Sequence, residues 1–113
     1  MNKIVNIIKP TCMTSHDVVS AVRKILNTKK VGHTGTLDPD ASGVLPICIG
    51  KATKVSELIL NKDKSYICEL TLGITTDTYD SSGEILERVD NFSFTKEEIE
   101  KAFDTQRGHI DQL

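Results

Sequence analysis

One aspartate is set where a carboxylate could work. In Gly32-His33-Thr34-Gly35-Thr36-Leu37-Asp38-Pro39, Asp38 precedes a proline, which biases its backbone towards an extended conformation and removes one backbone donor beside it. Gly35 and Gly43 permit positive backbone dihedrals or close approach of a ligand. His33, Thr34, Thr36 and Ser42 add donors and acceptors within reach of a polynucleotide. A stretch so dense in glycine and small polar residues is a poor way to build core and a reasonable way to present one carboxylate. The competing reading is an Asp-Pro turn whose aspartate serves as a cap. A phosphate cradle fails, because Gly50-Lys51-Ala52-Thr53 lacks the spaced glycine that such a loop needs.

The elements that must hold this loop follow from periodicity. Lys3 to Ile8 is rich in Ile and Val and stops at Pro10, which predicts a strand. Ser15 is the expected N-cap of a helix with Asp17 in its first turn, an apolar face of Val18, Val22, Ile25 and Leu26, and an end near Asn27. Residues 31–43 are expected to be a long loop, and Leu45 to Ile49 a short strand. Thr53 could cap a second helix. Tyr66, Cys68, Leu70 and Leu72 alternate with Ile67, Glu69 and Thr71, a period of two that predicts a strand. A polar connection over 75–83, a strand over 83–89 and a helix opened by the Thr95–Glu98 capping box complete the reading. The fold class this implies is α+β, a mixed and largely antiparallel sheet with flanking helices.

Composition narrows the field. A chain of 113 residues with 38% hydrophobic and 27% charged residues is globular and at most one domain, or part of one. No apolar run approaches the roughly 20 residues that span a bilayer, and the N-terminus is too interrupted for a signal peptide, so a cytoplasmic protein without membrane association is expected. Cys12, Cys48 and Cys68 are an odd set with no CxxC pair, which supports neither a disulfide framework nor a zinc site. Asp77-x-x-Asp80-x-x-Gly83 does not fit a calcium loop. The net charge of −2 hides an asymmetry: residues 1–60 hold eight Lys/Arg against four acids, residues 61–113 six against twelve. The positive half could meet phosphates.

Beyond the loop, Ala41-Ser42-Gly43-Val44-Leu45-Pro46 runs on to Gly50-Lys51-Ala52-Thr53-Lys54. Lys9-Pro10 with Met13-Thr14-Ser15 lies upstream; Lys64-Ser65-Tyr66 and the run from Gly73 to Gly83 follow. With the Asp38 loop, these motifs closely resemble the N-terminal part of the TruB family of tRNA pseudouridine synthases, over essentially the whole chain. One position departs: Cys12 stands where the family usually has glycine.

The resemblance implies an incomplete pseudouridine synthase-like catalytic domain, with residues 1–113 its N-terminal portion. The rest of that domain, including an arginine that pairs with the aspartate, and a small C-terminal RNA-binding domain would lie outside the chain. It implies isomerisation of uridine 55 in the T loop of tRNA without cofactor, metal or obligatory protein partner. Asp38 matches the essential aspartate. The base must be flipped out of its stack to reach it. Tyr66 matches the tyrosine that packs on the flipped uracil, His33 the histidine that holds the opened loop, and Asp80 an acidic position near the pocket. On the residues alone, Tyr66 reads first as a strand aromatic covering core, His33 as a solvated loop histidine, and Asp80 as an Asx-type turn residue. Lys9 has no assigned role and could be exposed. A guide-RNA-dependent synthase of the dyskerin type and a non-catalytic RNA-binding module are the alternative readings.

Overall fold

The Ile/Val-rich opening forms strand β1 (Lys3–Lys9) in the computed structural model, which describes residues 1–112. Pro10 ends it, having no N–H to give a ladder. Helix α1 (Ser15–Leu26) starts a residue earlier than expected, because Thr14 and not Ser15 is the N-cap. The Thr14 hydroxyl accepts from the Asp17 N–H at 3.0 Å, and the Asp17 carboxylate accepts from the Thr14 N–H at 2.8 Å. That reciprocal bond from the Thr14 backbone, followed by its side chain, holds the Asp17 carboxyl below its ordinary range. Asn27 closes the helix in the left-handed region, at φ 48, as the sequence implies.

The buried stripe of α1 is Ser15, Val18, Val19 and Val22, an i, i+3, i+4, i+7 set. Ile25, expected on that face, lies at the margin of the stripe in the last turn and is 79% exposed. Strands β2 (Val31–His33) and β3 (Gly43–Ile49) shorten the expected loop from both sides. They form an antiparallel sheet in the order β1-β3-β2, registered by Lys9 opposite Gly43, Ile7 opposite Leu45 and His33 opposite Ile47. Leu45, Ile47 and Ile49 alternate onto the face that meets Val18, Val19, Val22 and Val31, and these residues are the core. The expected Thr53-capped helix is instead a 3₁₀ turn, Gly50–Val55, leading into α2 (Ser56–Leu60). Thr53 sits inside that turn and its hydroxyl donates to the Gly50 carbonyl at 2.8 Å.

Two compact units divide the chain, one over Met1–Tyr66 and one beginning at Ile67. No Pro- or Gly-rich linker marks the boundary, but it is also the charge divide. The first unit has ten Lys/Arg against five acids, and the second four against eleven. In the second unit β4 (Ile74–Thr76) and β5 (Ile85–Arg88) form an antiparallel hairpin, so the expected polar connection contains the end of one strand and a turn. Helix α3 (Lys96–Asp104) has the expected capping box, Thr95 with Glu98. The expected strand over Tyr66–Leu72 is not formed. Alternation supplies a face, but a strand exists only with a neighbour to take its N–H and C=O groups, and among the described residues none pairs with this segment. The fold is α+β with antiparallel sheets, as expected.

Cys12 is one of three non-glycine residues with positive φ, at 65. A side chain in the left-handed region costs roughly 1–2 kcal/mol, and glycine returns part of that through the freer unfolded chain. Cys12→Gly is therefore expected to stabilise the protein by about 0.5–1 kcal/mol, read as a higher urea midpoint at unchanged slope. An unchanged or lower midpoint would show that the turn accommodates the cysteine without strain.

Candidate active site

Asp38 is held from both sides while its own side chain stays exposed. On the N-terminal side, Leu37 packs its side chain against the core, and its backbone is gripped by one hydroxyl. Ser15 Oγ accepts from the Leu37 N–H at 2.9 Å and donates to the Leu37 carbonyl at 3.3 Å. Ser15 can do this because it lies on the buried stripe of α1, where it is 2% exposed. On the C-terminal side, the Pro39 carbonyl accepts from the Cys12 N–H at 2.8 Å and from Lys9 Nζ at 3.3 Å. The Asp38 carbonyl accepts from the Ala41 N–H at 3.0 Å, closing a turn. A carboxylate bracketed in this way has a fixed backbone and a free head, which is what catalysis by a positioned group requires.

Lys9 is the least expected member. The side chain is 0% exposed, and its ammonium donates to the carbonyls of Pro10 and Met13 at 2.7 Å each, as well as to Pro39. A buried cation is tolerable only with such partners, and these three acceptors come from both segments that meet at the loop. The register supplies the reason. Lys9 ends β1 opposite Gly43, where the loop returns to the sheet. A lysine after an Ile/Val-rich strand and before a proline was the available signal, and it also fits an exposed strand end.

His33 ends β2, half-buried, and its Nδ1 accepts from the Gly35 N–H at 3.4 Å. That bond occupies Nδ1 and leaves Nε2 for another partner. Thr34 is buried, its hydroxyl donating to the Pro46 carbonyl at 3.1 Å, so this expected ligand-facing group instead ties the loop to β3. Of the two uses open to these glycines, neither Gly35 nor Gly43 shows a positive φ. Gly35 is needed for close approach, though by a side chain of this chain: a methyl built on it would come within 2.9 Å of Lys64 Cε. Gly43 is simply the first residue of β3.

Tyr66 is the last residue of the first unit, 62% exposed and outside any strand. The aromatic face is therefore available rather than spent on core. Asp80 belongs to the second unit, in the β4–β5 turn. Its Oδ1 accepts from the Ser82 hydroxyl, from the Ser82 N–H at 2.9 Å and from the Thr78 hydroxyl at 2.7 Å. Those bonds, the Ser82 hydroxyl foremost, lower its pKa. The carboxylate is thus committed to shaping its own turn, as the Asx reading has it. Across the hairpin, Asp77 exchanges with Glu84: its Oδ1 accepts the Glu84 N–H at 2.9 Å.

The three cysteines are free thiols, and burial pushes the Cys48 thiol up. Among the described residues no group of three or more His, Cys, Asp or Glu is gathered in metal-binding range, and no helix is long and apolar enough to cross a membrane.

Residues 23–113 match the family described as TruB family pseudouridylate synthase (N terminal domain). The chain is 82% identical over 113 residues to tRNA pseudouridine synthase B of Clostridioides difficile, covering all of this chain and 38% of that protein. With the same coverage it is 58% identical to the protein of that name in Alkaliphilus oremlandii. The Bacillus subtilis protein of that name is 48% identical over 114 residues, 37% of its length. The chain thus spans well under half the length of these relatives. A match over most of the chain, together with an aspartate loop pinned at both flanks, shows that this protein belongs to the TruB family of pseudouridylate synthases.

Proposed function

We propose that this chain is the N-terminal part of the catalytic domain of an enzyme that isomerises uridine to pseudouridine in the T loop of tRNA, at position 55. The observation that carries the reading is Asp38, exposed at its carboxylate and locked at Leu37 and Pro39. Similarity to proteins named tRNA pseudouridine synthase B supports the substrate. The reaction breaks the bond from the sugar to uracil N1 and forms one to uracil C5, and the proton on C5 is lost as N1 gains one, so atoms balance without a cofactor. Asp38 acts as the carboxylate on the sugar or the uracil of a flipped-out nucleotide. Flipping costs a few kcal/mol of unstacking, and stacking on an aromatic ring returns about 1–3 kcal/mol per base. Tyr66, with its face open, is the ring for that task. His33, with Nε2 not used in that bond, holds the opened loop. Asp80 contributes through the turn that it fixes. The work belongs in the cytoplasm, where tRNA is processed, and needs no guide RNA or protein partner.

The test is turnover of a bare T stem-loop transcript by a protein extended to the relatives' length. Pseudouridine is expected at the one loop uridine corresponding to position 55, without guide RNA. The 113 residues alone are expected to yield little or none, since the arginine the family pairs with its aspartate would have to come from outside them. Product that appears only when guide RNA is added would point to the dyskerin type. Equal turnover by the 113-residue chain would refute the incomplete site.

A further inference from the structure

The basic unit spends almost none of its charge on ion pairs. Three salt bridges occur among the described residues, Arg88–Asp90, Lys96–Glu100 and Arg107–Asp104, and all lie in the acidic second unit. The first unit holds ten Lys/Arg and pairs none of them with a carboxylate. Lys9 and Arg23 are accounted for, since they donate to backbone carbonyls. Of the others, Lys64 has a seat. Gly35 is buried, and a methyl on it would meet Lys64 Cε at 2.9 Å and Nζ at 3.2 Å. The stem of Lys64 therefore lies on the bare face of this glycine, with its ammonium against the catalytic loop, while the side chain as a whole remains exposed. Gly35 precedes Asp38 by three residues, a span of at most roughly 10 Å.

A cation seated on the loop that carries Asp38, in no salt bridge among the described residues, is matched in sign to one group of the substrate. We infer that Lys64 binds a backbone phosphate of the RNA beside the flipped nucleotide, and that Gly35 is glycine in order to seat it. The inference rests on the RNA-modifying reading above. Its chemistry is that of a point charge releasing one condensed counterion when it meets a phosphate, a sequence-independent term that positions the strand and leaves base recognition to other groups. Lys64 is two residues before Tyr66, so a single short segment would supply both the phosphate contact and the stacking ring.

The experiment measures T stem-loop RNA binding against salt concentration in the extended protein, for Lys64→Gln, Lys64→Arg, Gly35→Ala and the Lys64→Gln/Gly35→Ala pair. Lys64→Gln is expected to weaken binding roughly threefold to tenfold and to lower the slope of log affinity against log salt by about 0.7–0.9, the value of one phosphate. Lys64→Arg, which keeps the charge, is expected to restore most of the slope. Gly35 has no positive φ, and the atoms its new methyl would meet are the far end of a flexible side chain, so Gly35→Ala should fold and simply displace the lysine. Its loss should then shrink to little in the Lys64→Gln background, because both changes remove the same contact. An unchanged slope in Lys64→Gln, or losses that multiply in the pair, would overturn the inference. Pseudouridine formation by the unaltered protein, measured on the same samples, separates this outcome from failure of the functional reading: a protein that binds RNA with the expected slope and makes no product refutes the enzyme and not the lysine.

Discussion

In the protein extended to the relatives' length, replacing Asp38 by asparagine is expected to eliminate pseudouridine formation, lowering single-turnover rate by about 10⁴-fold or more, as removal of a group that acts on the reacting atoms does in enzymes generally. Asparagine keeps the size and the turn-forming habit of aspartate and loses only the negative charge. The Asp38 side chain is exposed, and its backbone is fixed by Ser15 at Leu37 and by Cys12 and Lys9 at Pro39, none of which touches the carboxylate. Stability should therefore change by no more than about 0.5 kcal/mol. RNA affinity should hold or rise slightly, because one anion facing a polyanion has been removed. Rate and binding thus separate. A rate that stays within tenfold of the unaltered enzyme would mean that Asp38 is not the catalytic carboxylate, whereas parallel loss of rate and binding would mean that the loop serves recognition.

The Asp38 loop was legible as a candidate site because its pattern is local: Asp38 beside Pro39, with small polar residues on both sides, lies within one segment. β1, α1 and α3 were legible for the same reason, each having its own stop signal or capping box. The supports of the loop were not, since they join segments distant along the chain. Ser15 is bonded to Leu37 and Lys9 to Pro39, separations of 22 and 30 residues that no periodicity reports. Ser15 did leave a trace, a polar residue at the first position of an i, i+3, i+4, i+7 apolar stripe, but the usual preference of serine for caps pointed to the wrong role. The Tyr66–Leu72 segment shows the opposite limit. Its alternation is clear, and yet a strand is a property of two chains of backbone and not of one. Thr34, chosen as a ligand group for its polarity, is buried for the hydrogen bond it gives Pro46. Polarity in a loop cannot say whether its partner is substrate or scaffold.

The second large effect belongs to Lys9. Changing it to methionine keeps the length and the apolar stem but removes the ammonium from three carbonyl oxygens, those of Pro10, Met13 and Pro39. Two competing terms decide the sign. Taking the cation out spares the desolvation of a charge that is 0% exposed, which favours methionine. Against it, three acceptors in a closed space lose a charged donor, and each such bond contributes roughly 1.5–3 kcal/mol where no water can replace it. Bonds at 2.7 Å to Pro10 and Met13 are short enough to count fully, so loss outweighs relief. Lys9→Met is expected to destabilise the protein by about 2–4 kcal/mol, read as a lower denaturant midpoint at constant slope. Activity of the extended protein should also fall under conditions where the variant remains folded, because the Pro39 carbonyl keeps only the Cys12 N–H and Asp38 is then held firmly on one side alone. The rate loss should appear in the chemical step and leave RNA affinity near its original value. A midpoint within about 0.5 kcal/mol of the parent would show that water reaches these carbonyls and that the lysine is not the clamp its burial implies.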